Sequence, residues 1–404
     1  MTAAILFAFS LYAVRHWLEH GFLSDANGYQ QYADFVRAGH MPYSDQANTP
    51  LAYPPASLVP FLLASYMSWS YATSFTILMA LCGVGCIALI ATTLRKVGAT
   101  SGRIWAALLL FAVSPLVLGS VFGTRYDLWP TLLALGGLVA LVHERPLLAG
   151  ALLGLGFAAK LWPAVLLPLA VVHLWRRRGA SFAAVVSFAV VAAACFVPFA
   201  ILEPHGLWLS ISGQFERPLQ IESLGSAVLL AAEHLGMATH ATITSHGAQA
   251  LSGRGTRLAA GLSTTAEILA VFGIWLAYAR GRTHSPEALL MAAAATVAAL
   301  VAFDKVLSPQ YLIWLVPFVA LASGRAGIAA AGFLLLALGL TQTWFPWSYW
   351  ELANGHRSPW VWYLLARDVA LVALAAALAG LQPRMRFRRR KSTFAGRSAS
   401  LRMR

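Results

Sequence analysis

The sequence predicts an all-α protein: a polytopic transmembrane helix bundle of about 11–12 spans, with short juxtamembrane helices on its outer face. Three observations lead there. Of 404 residues, 59% are hydrophobic and only 11% are charged, whereas soluble domains carry about 25% charged residues. The mean hydropathy is +0.68. The apolar runs are long and separated by short polar breaks, as in a helical bundle, and lack the two-residue alternation of a membrane barrel. A formal charge of +14 could suggest a nucleic-acid partner. The basic residues instead stand at the ends of apolar runs and in the tail, where membrane lipids are the expected partner and nucleic acid is not.

Residues 3–23 form the first expected span. The start, Met-Thr-Ala-Ala, lacks a basic region, and Arg15 to His20 offers no small-residue cleavage site, so the segment reads as an anchor. Arg15 and Glu19, and His16 and His20, are each four apart and share a helix face. Residues 24–55 then form the first long polar stretch, rich in Asp and Tyr. Within it Ser24-Asp25 starts a helix that Gly39 ends. Asp25 suits an N-cap, accepting bonds from first-turn amides. An ionised cap is also compatible with a general base, and on position alone the cap is favoured. Tyr29, Tyr32 and Phe35 fall near one face, and Tyr53-Pro54-Pro55 makes a rigid corner.

Residues 56–68 are apolar but too short to cross, which fits an interfacial helix. Further spans are expected at 72–94, 104–122, 127–142, 147–159, 162–175, 180–201, 259–279, 286–303, 310–323, 326–345 and 360–380. The pair 147–159 and 162–175 is too short for two full crossings, so a broken or tilted helix is expected there. Cys82, Cys86 and Cys195 lie in apolar segments and imply no disulfide framework. The run from Trp344 to Trp350 suits an interfacial aromatic belt.

Orientation follows from Lys and Arg. Arg95, Lys96, Arg103, Arg145, Arg176–Arg178, Arg280, Arg282 and Arg325 fall on alternate connections, together with the basic tail 384–404. That side is expected to be cytoplasmic. The opposite side receives 24–55, the Arg125–Asp127 turn, a long loop at 202–258, Asp304-Lys305 and 346–359. Residues 1–383 are therefore expected to form the membrane unit and 384–404 a cytoplasmic tail.

Several stretches together carry a resemblance. Asp25, Tyr29, Tyr32, Gly39, Pro42-Tyr43-Ser44-Asp45 and Tyr53-Pro54-Pro55 resemble the first outer loop of GT-C glycosyltransferases, and most of all glycosyltransferase family 87. Arg125-Tyr126-Asp127-Leu128, Lys160-Leu161-Trp162-Pro163, Arg217 to Ser223 and Lys305 to Tyr311 agree in the same order. Two departures matter. Ala52 stands where family members often carry Glu before Tyr-Pro-Pro, and Asp25-Ala26-Asn27 has one carboxylate where many GT-C enzymes have two.

The resemblance implies a membrane enzyme of the plasma membrane, active on its outer face. It would move a sugar, mannose by analogy, from a polyprenyl-phosphate donor to a lipid or glycan acceptor with inversion. Asp25 would be the general base. Tyr29, Tyr43, Tyr53, Arg125, Asp127, Lys160, Arg217, Gln220, Glu222, Lys305, Gln310 and Tyr311 would bind substrate. No cofactor and no metal is implied. Arg125, Lys160, Arg217 and Lys305 suit a departing phosphate, but ion pairing with Asp127, Glu216, Glu222 or Asp304 would also account for them. The alternative class is a secondary transporter or lipid flippase. Transporters place ionisable groups near the bilayer midplane and often repeat internally. This chain shows no evident repeat, and its acids cluster in the outer loops.

Overall fold

A computed structural model describes residues 1–18, 25–44, 50–355 and 358–380. Glu19 and His20, the expected partners of Arg15 and His16, lie outside them, as do Asp45 and the tail from Arg384 onward. Among the described residues, seven helices are long and apolar enough to cross a membrane. They are α4 (Tyr71–Lys96), α5 (Ser101–Leu118), α10 (Arg178–Leu202), α13 (Thr256–Ala279), α14 (Pro286–Phe303), α16 (Gly324–Trp344) and α18 (Trp360–Gly380). Their starts are set by ordinary chemistry. The Ser70, Thr100 and Ser285 hydroxyls each accept a bond from a first-turn amide.

Among the described residues the remaining expected spans are shorter: α1 (Thr2–Leu18), α7 (Leu128–Val142), α8 (Pro146–Ala159), α9 (Leu167–Leu174) and α15 (Leu312–Leu321). Fifteen residues of α7 rise only about 22 Å, less than the ~30 Å hydrocarbon core. The break expected between 147–159 and 162–175 is present: α8 stops at Ala159, and a 3-10 turn at Trp162–Leu166 leads into α9. Residues 56–68 contain a 3-10 turn at Pro55–Ser57 and then α3 (Leu58–Ser65). A further 3-10 turn at Pro309–Tyr311 opens α15, and a short helix, α6 (Val121–Thr124), precedes α7.

The polar connections are also ordered. α2 (Ala26–Arg37) ends as expected near Gly39, whose φ of +87° suits glycine. The loop expected at 202–258 contains α11 (Pro204–Glu216), α12 (Leu224–His234) and an antiparallel hairpin, β1 (His240–Ser245) with β2 (Ala248–Gly253). The hairpin is the one departure from an all-helical fold among the described residues. α17 (Tyr349–Asn354) joins α16 to α18.

The core is centred on α14 and α15, which are buried almost all round, as helices apolar on every face should be. α10 and α13 form the rim and stay bare, with Phe182, Val190, Ile201, Leu262 and Phe272 exposed. In water such a surface would be costly, while in lipid it is ordinary. α8 and α10 pack closely because Gly150 and Gly154 repeat at a four-residue step. A Cβ at either glycine would collide with the α10 backbone at Ala184 or Phe188.

Candidate active site

Several short helices begin at one place. The first turns of α7, of the segment leading into α9, of the segment leading into α15 and of the segment leading into α3 carry Pro130, Pro163, Pro309 and Pro55. Proline fits an initial turn because its missing N–H would be unpaired there anyway. Just before these starts stand Asp127, Lys160-Leu161, Ser308 and Pro54. The irregular backbone between broken helices surrounds a cavity of about 1050 Å³.

Ten residues expected at the site line this cavity: Asp25, Tyr53, Arg125, Lys160, Arg217, Gln220, Glu222, Lys305, Gln310 and Tyr311. They come from segments up to 286 positions apart in sequence, from Asp25 to Tyr311. Against the sequence expectation, Tyr29, Tyr43 and Asp127 stand behind the wall, because each is buried by the packing that shapes it. The Tyr29 ring stacks on Phe61 at 4.3 Å, and its hydroxyl donates to Asp25 Oδ2 at 3.3 Å. The Tyr43 hydroxyl donates to the Tyr53 carbonyl at 2.8 Å, while its N–H donates to Glu203 at 2.9 Å. Gln214 of α11 donates to the Ala52 carbonyl at 2.7 Å. α11 thus fastens the first polar loop beside the cavity.

Asp127 is fully buried and accepts from both Lys160 Nζ at 2.6 Å and Trp314 Nε1 at 2.7 Å. The Lys160 ammonium also lies about 5 Å from the ring centres of Tyr126, Tyr311 and Trp314, a cage that favours a cation. The expected pairing of Lys160 with Asp127 is therefore present. Arg125 differs, since its ion pair is with Asp25. Arg217 and Lys305 donate to the carbonyls of His246 (3.2 Å) and Phe215 (2.8 Å). Among the described residues neither forms an ion pair.

Asp25 occupies the N-cap position of α2, yet its side chain makes no capping bond. The competing partner is Arg125, with the Tyr29 hydroxyl beside it. The cap reading is corrected accordingly. Burial holds the Arg125 guanidinium down to about 10, against the opposing charges of Asp127, Tyr349 and Glu222, and it remains a cation at neutral pH. Burial also pushes the Glu222 carboxyl up to about 7 and raises Asp304. Four acids and four bases line the cavity. Burial thus favours the neutral forms of Glu222 and Asp304, which shifts the balance of charge towards positive.

Other lining residues carry no expectation from the sequence. Glu267 is the only acid in α13, and an ionisable group within an apolar run was a signal for it. Trp314 lies four residues after Gln310 and so shares its face. The aromatic run departs from a belt. Trp344 is buried, and Phe345, Tyr349 and Trp350 line the cavity, while Trp347 is exposed.

Comparison with known proteins adds the following. The chain matches the family described as "Glycosyltransferase family 87" over residues 51–309. No curated protein matches it. Among solved structures it is similar to the crystal structure of ArnT from Cupriavidus metallidurans bound to undecaprenyl phosphate, with a TM-score of 0.49 and 13% identity. That alignment covers 93% of this chain and 77% of that one.

Proposed function

The chain belongs to glycosyltransferase family 87, and from that premise we propose that this membrane glycosyltransferase takes its sugar from a polyprenyl phosphate. The sugar is mannose by family resemblance, the acceptor a lipid or glycan, and the reaction faces the outside of the plasma membrane. The observation that carries this reading is the single cavity in which Asp25 meets Arg125, Lys160, Arg217 and Lys305. A base and cations for a departing phosphate are the two things such a transfer needs.

Asp25 takes the proton of the acceptor hydroxyl as its oxygen bonds to the anomeric carbon. The bond from that carbon to phosphate oxygen breaks, the electron pair stays on the lipid phosphate, and the configuration inverts. Phosphate is a good leaving group, so one carboxylate suffices. Arg125 holds the Asp25 carboxylate in place through their ion pair. A donor phosphate would compete for the same guanidinium, and loosening the pair makes Asp25 a better base once donor is bound. Asp127 acts through Lys160, holding its ammonium at the wall. The transporter alternative draws no support from family membership.

The test is purified protein incubated with several polyprenyl-phosphate sugars and a panel of lipid and glycan acceptors. Asp25→Asn should lower transfer by about 10²–10⁴-fold at matched thermal stability. Full activity in that variant removes Asp25 as the base, and failure to consume any such donor overturns the donor class.

A further inference from the structure

α18 is apolar except for two adjacent charges, Arg367 and Asp368. Both are fully buried. Charges inside a spanning helix are expensive and need a partner and a purpose. Arg367 Nε lies 2.8 Å from Asp368 Oδ1, and Arg367 Nη2 donates to the Glu222 carbonyl at 2.6 Å. The guanidinium also sits 5.8 Å from the centre of the buried Trp344 ring. None of these four groups is absorbed by the transfer reaction except Glu222, which lines the cavity.

The Glu222 carbonyl belongs to the segment 217–223, which carries three cavity residues: Arg217, Gln220 and Glu222. Little regular structure holds this segment. Gln220 N–H donates to the Lys305 carbonyl, Ile221 N–H to the Gln249 carbonyl, and the Leu219 carbonyl accepts from Leu251. Those three bonds tie it to a neighbouring loop and to the hairpin, and Ser223 caps α12. The Arg367 bond adds a tie to α18, which lies far away in sequence. Asp368 makes no well-formed hydrogen bond of its own, so it acts as the counter-charge that keeps the guanidinium buried and aimed.

We propose that Arg367, held by Asp368, is a positioning residue that fixes segment 217–223 and so places Arg217, Gln220 and Glu222 at the cavity wall. Its effect on donor affinity rests on the polyprenyl-phosphate reading, while its effect on the segment does not.

Full-length wild type, Arg367→Met, Arg367→Lys and Asp368→Asn would be compared in lipid nanodiscs. The first measurement is hydrogen–deuterium exchange in peptides covering 217–223, with α16 and α18 as internal controls. Loss of one charge-assisted bond should speed exchange in the segment by about tenfold in Arg367→Met while the two helices stay protected. Arg367→Lys, which keeps the charge without the planar fork, should fall between. The second measurement is binding of undecaprenyl phosphate, expected to weaken by about tenfold in Arg367→Met. Unchanged exchange in 217–223, or a rise shared equally with α18, overturns the proposal in favour of a purely structural pair. If Arg367→Met fails to fold, Asp368→Asn decides by the same criterion, since it keeps shape and removes the counter-charge. If wild type itself does not bind undecaprenyl phosphate, the donor reading falls and the exchange data still judge the clamp.

Discussion

Arg217 and Lys305 differ from Lys160 in a way that governs what each can do. Lys160 already has a carboxylate and three rings, whereas the other two spend their hydrogen bonds on backbone carbonyls. They are the cations freer to meet a phosphate. Arg217→Ala should therefore weaken donor binding by about 1.5–3 kcal/mol with acceptor dependence unchanged, measured by steady-state kinetics with a defined donor. A second residue-scale prediction concerns pH. The Glu222 carboxyl is raised by burial from 4.5 to about 7, so the folded state holds this proton more tightly than the unfolded chain. Its contribution to stability is present below 4.5 and is lost as pH rises through about 7. Thermal unfolding of wild type should thus fall relative to Glu222→Gln between pH 5 and 8. Parallel curves would show that Glu222 is not perturbed. Most cavity residues were legible because they sit in short polar motifs between apolar runs. Which acid pairs with which cation was not, since Asp25 and Arg125 are 100 positions apart and only packing brings them together.

The helices were legible to within a few residues wherever an apolar run was long. The harder matter was what the short ones do. Hydropathy marks 127–142, 147–159 and 310–323 as apolar but carries no sign that their ends converge, because convergence depends on long-range packing. The hairpin at 240–253 was missed for a related reason: two six-residue strands with modest β-propensity in a polar loop give little signal. Glycine spacing was a signal that the chain offered plainly. Gly150 and Gly154 let α8 lie against α10, and α8 ends next to Lys160. Gly150→Leu should separate these helices and destabilise the protein by roughly 1–3 kcal/mol or more, read by thermal unfolding in detergent. It should also reduce transfer by displacing Lys160. Unchanged stability would mean that α8 and α10 do not pack this closely.

At the scale of the molecule, the two ends of several helices face different chemistry. Cavity residues cluster at one set of helix ends, while Arg145, Arg280, Arg282 and Arg325 mark the opposite ends of α7, α13 and α15. If the basic ends are cytoplasmic, Met237→Cys in the turn after α12 should react with a membrane-impermeant thiol reagent in intact cells, and Arg282→Cys should not. The three native cysteines, Cys82, Cys86 and Cys195, are free and lie in helices, so a background variant lacking them gives the clean comparison. Labelling of Arg282→Cys alone would invert the orientation and move the reaction to the other face.

The four proline-started helical segments have a consequence that no side chain reveals. Peptide dipoles aligned along a helix leave partial positive charge at its beginning, and three of these beginnings, beside Pro54, Leu161 and Ser308, line one cavity. Together they add backbone positive charge to that of the side chains. This field does not titrate, and no single substitution removes it. An anionic headgroup would therefore still be drawn in after the loss of any one lysine or arginine. Donor recognition is in that sense written into the chain's direction as well as into its side chains.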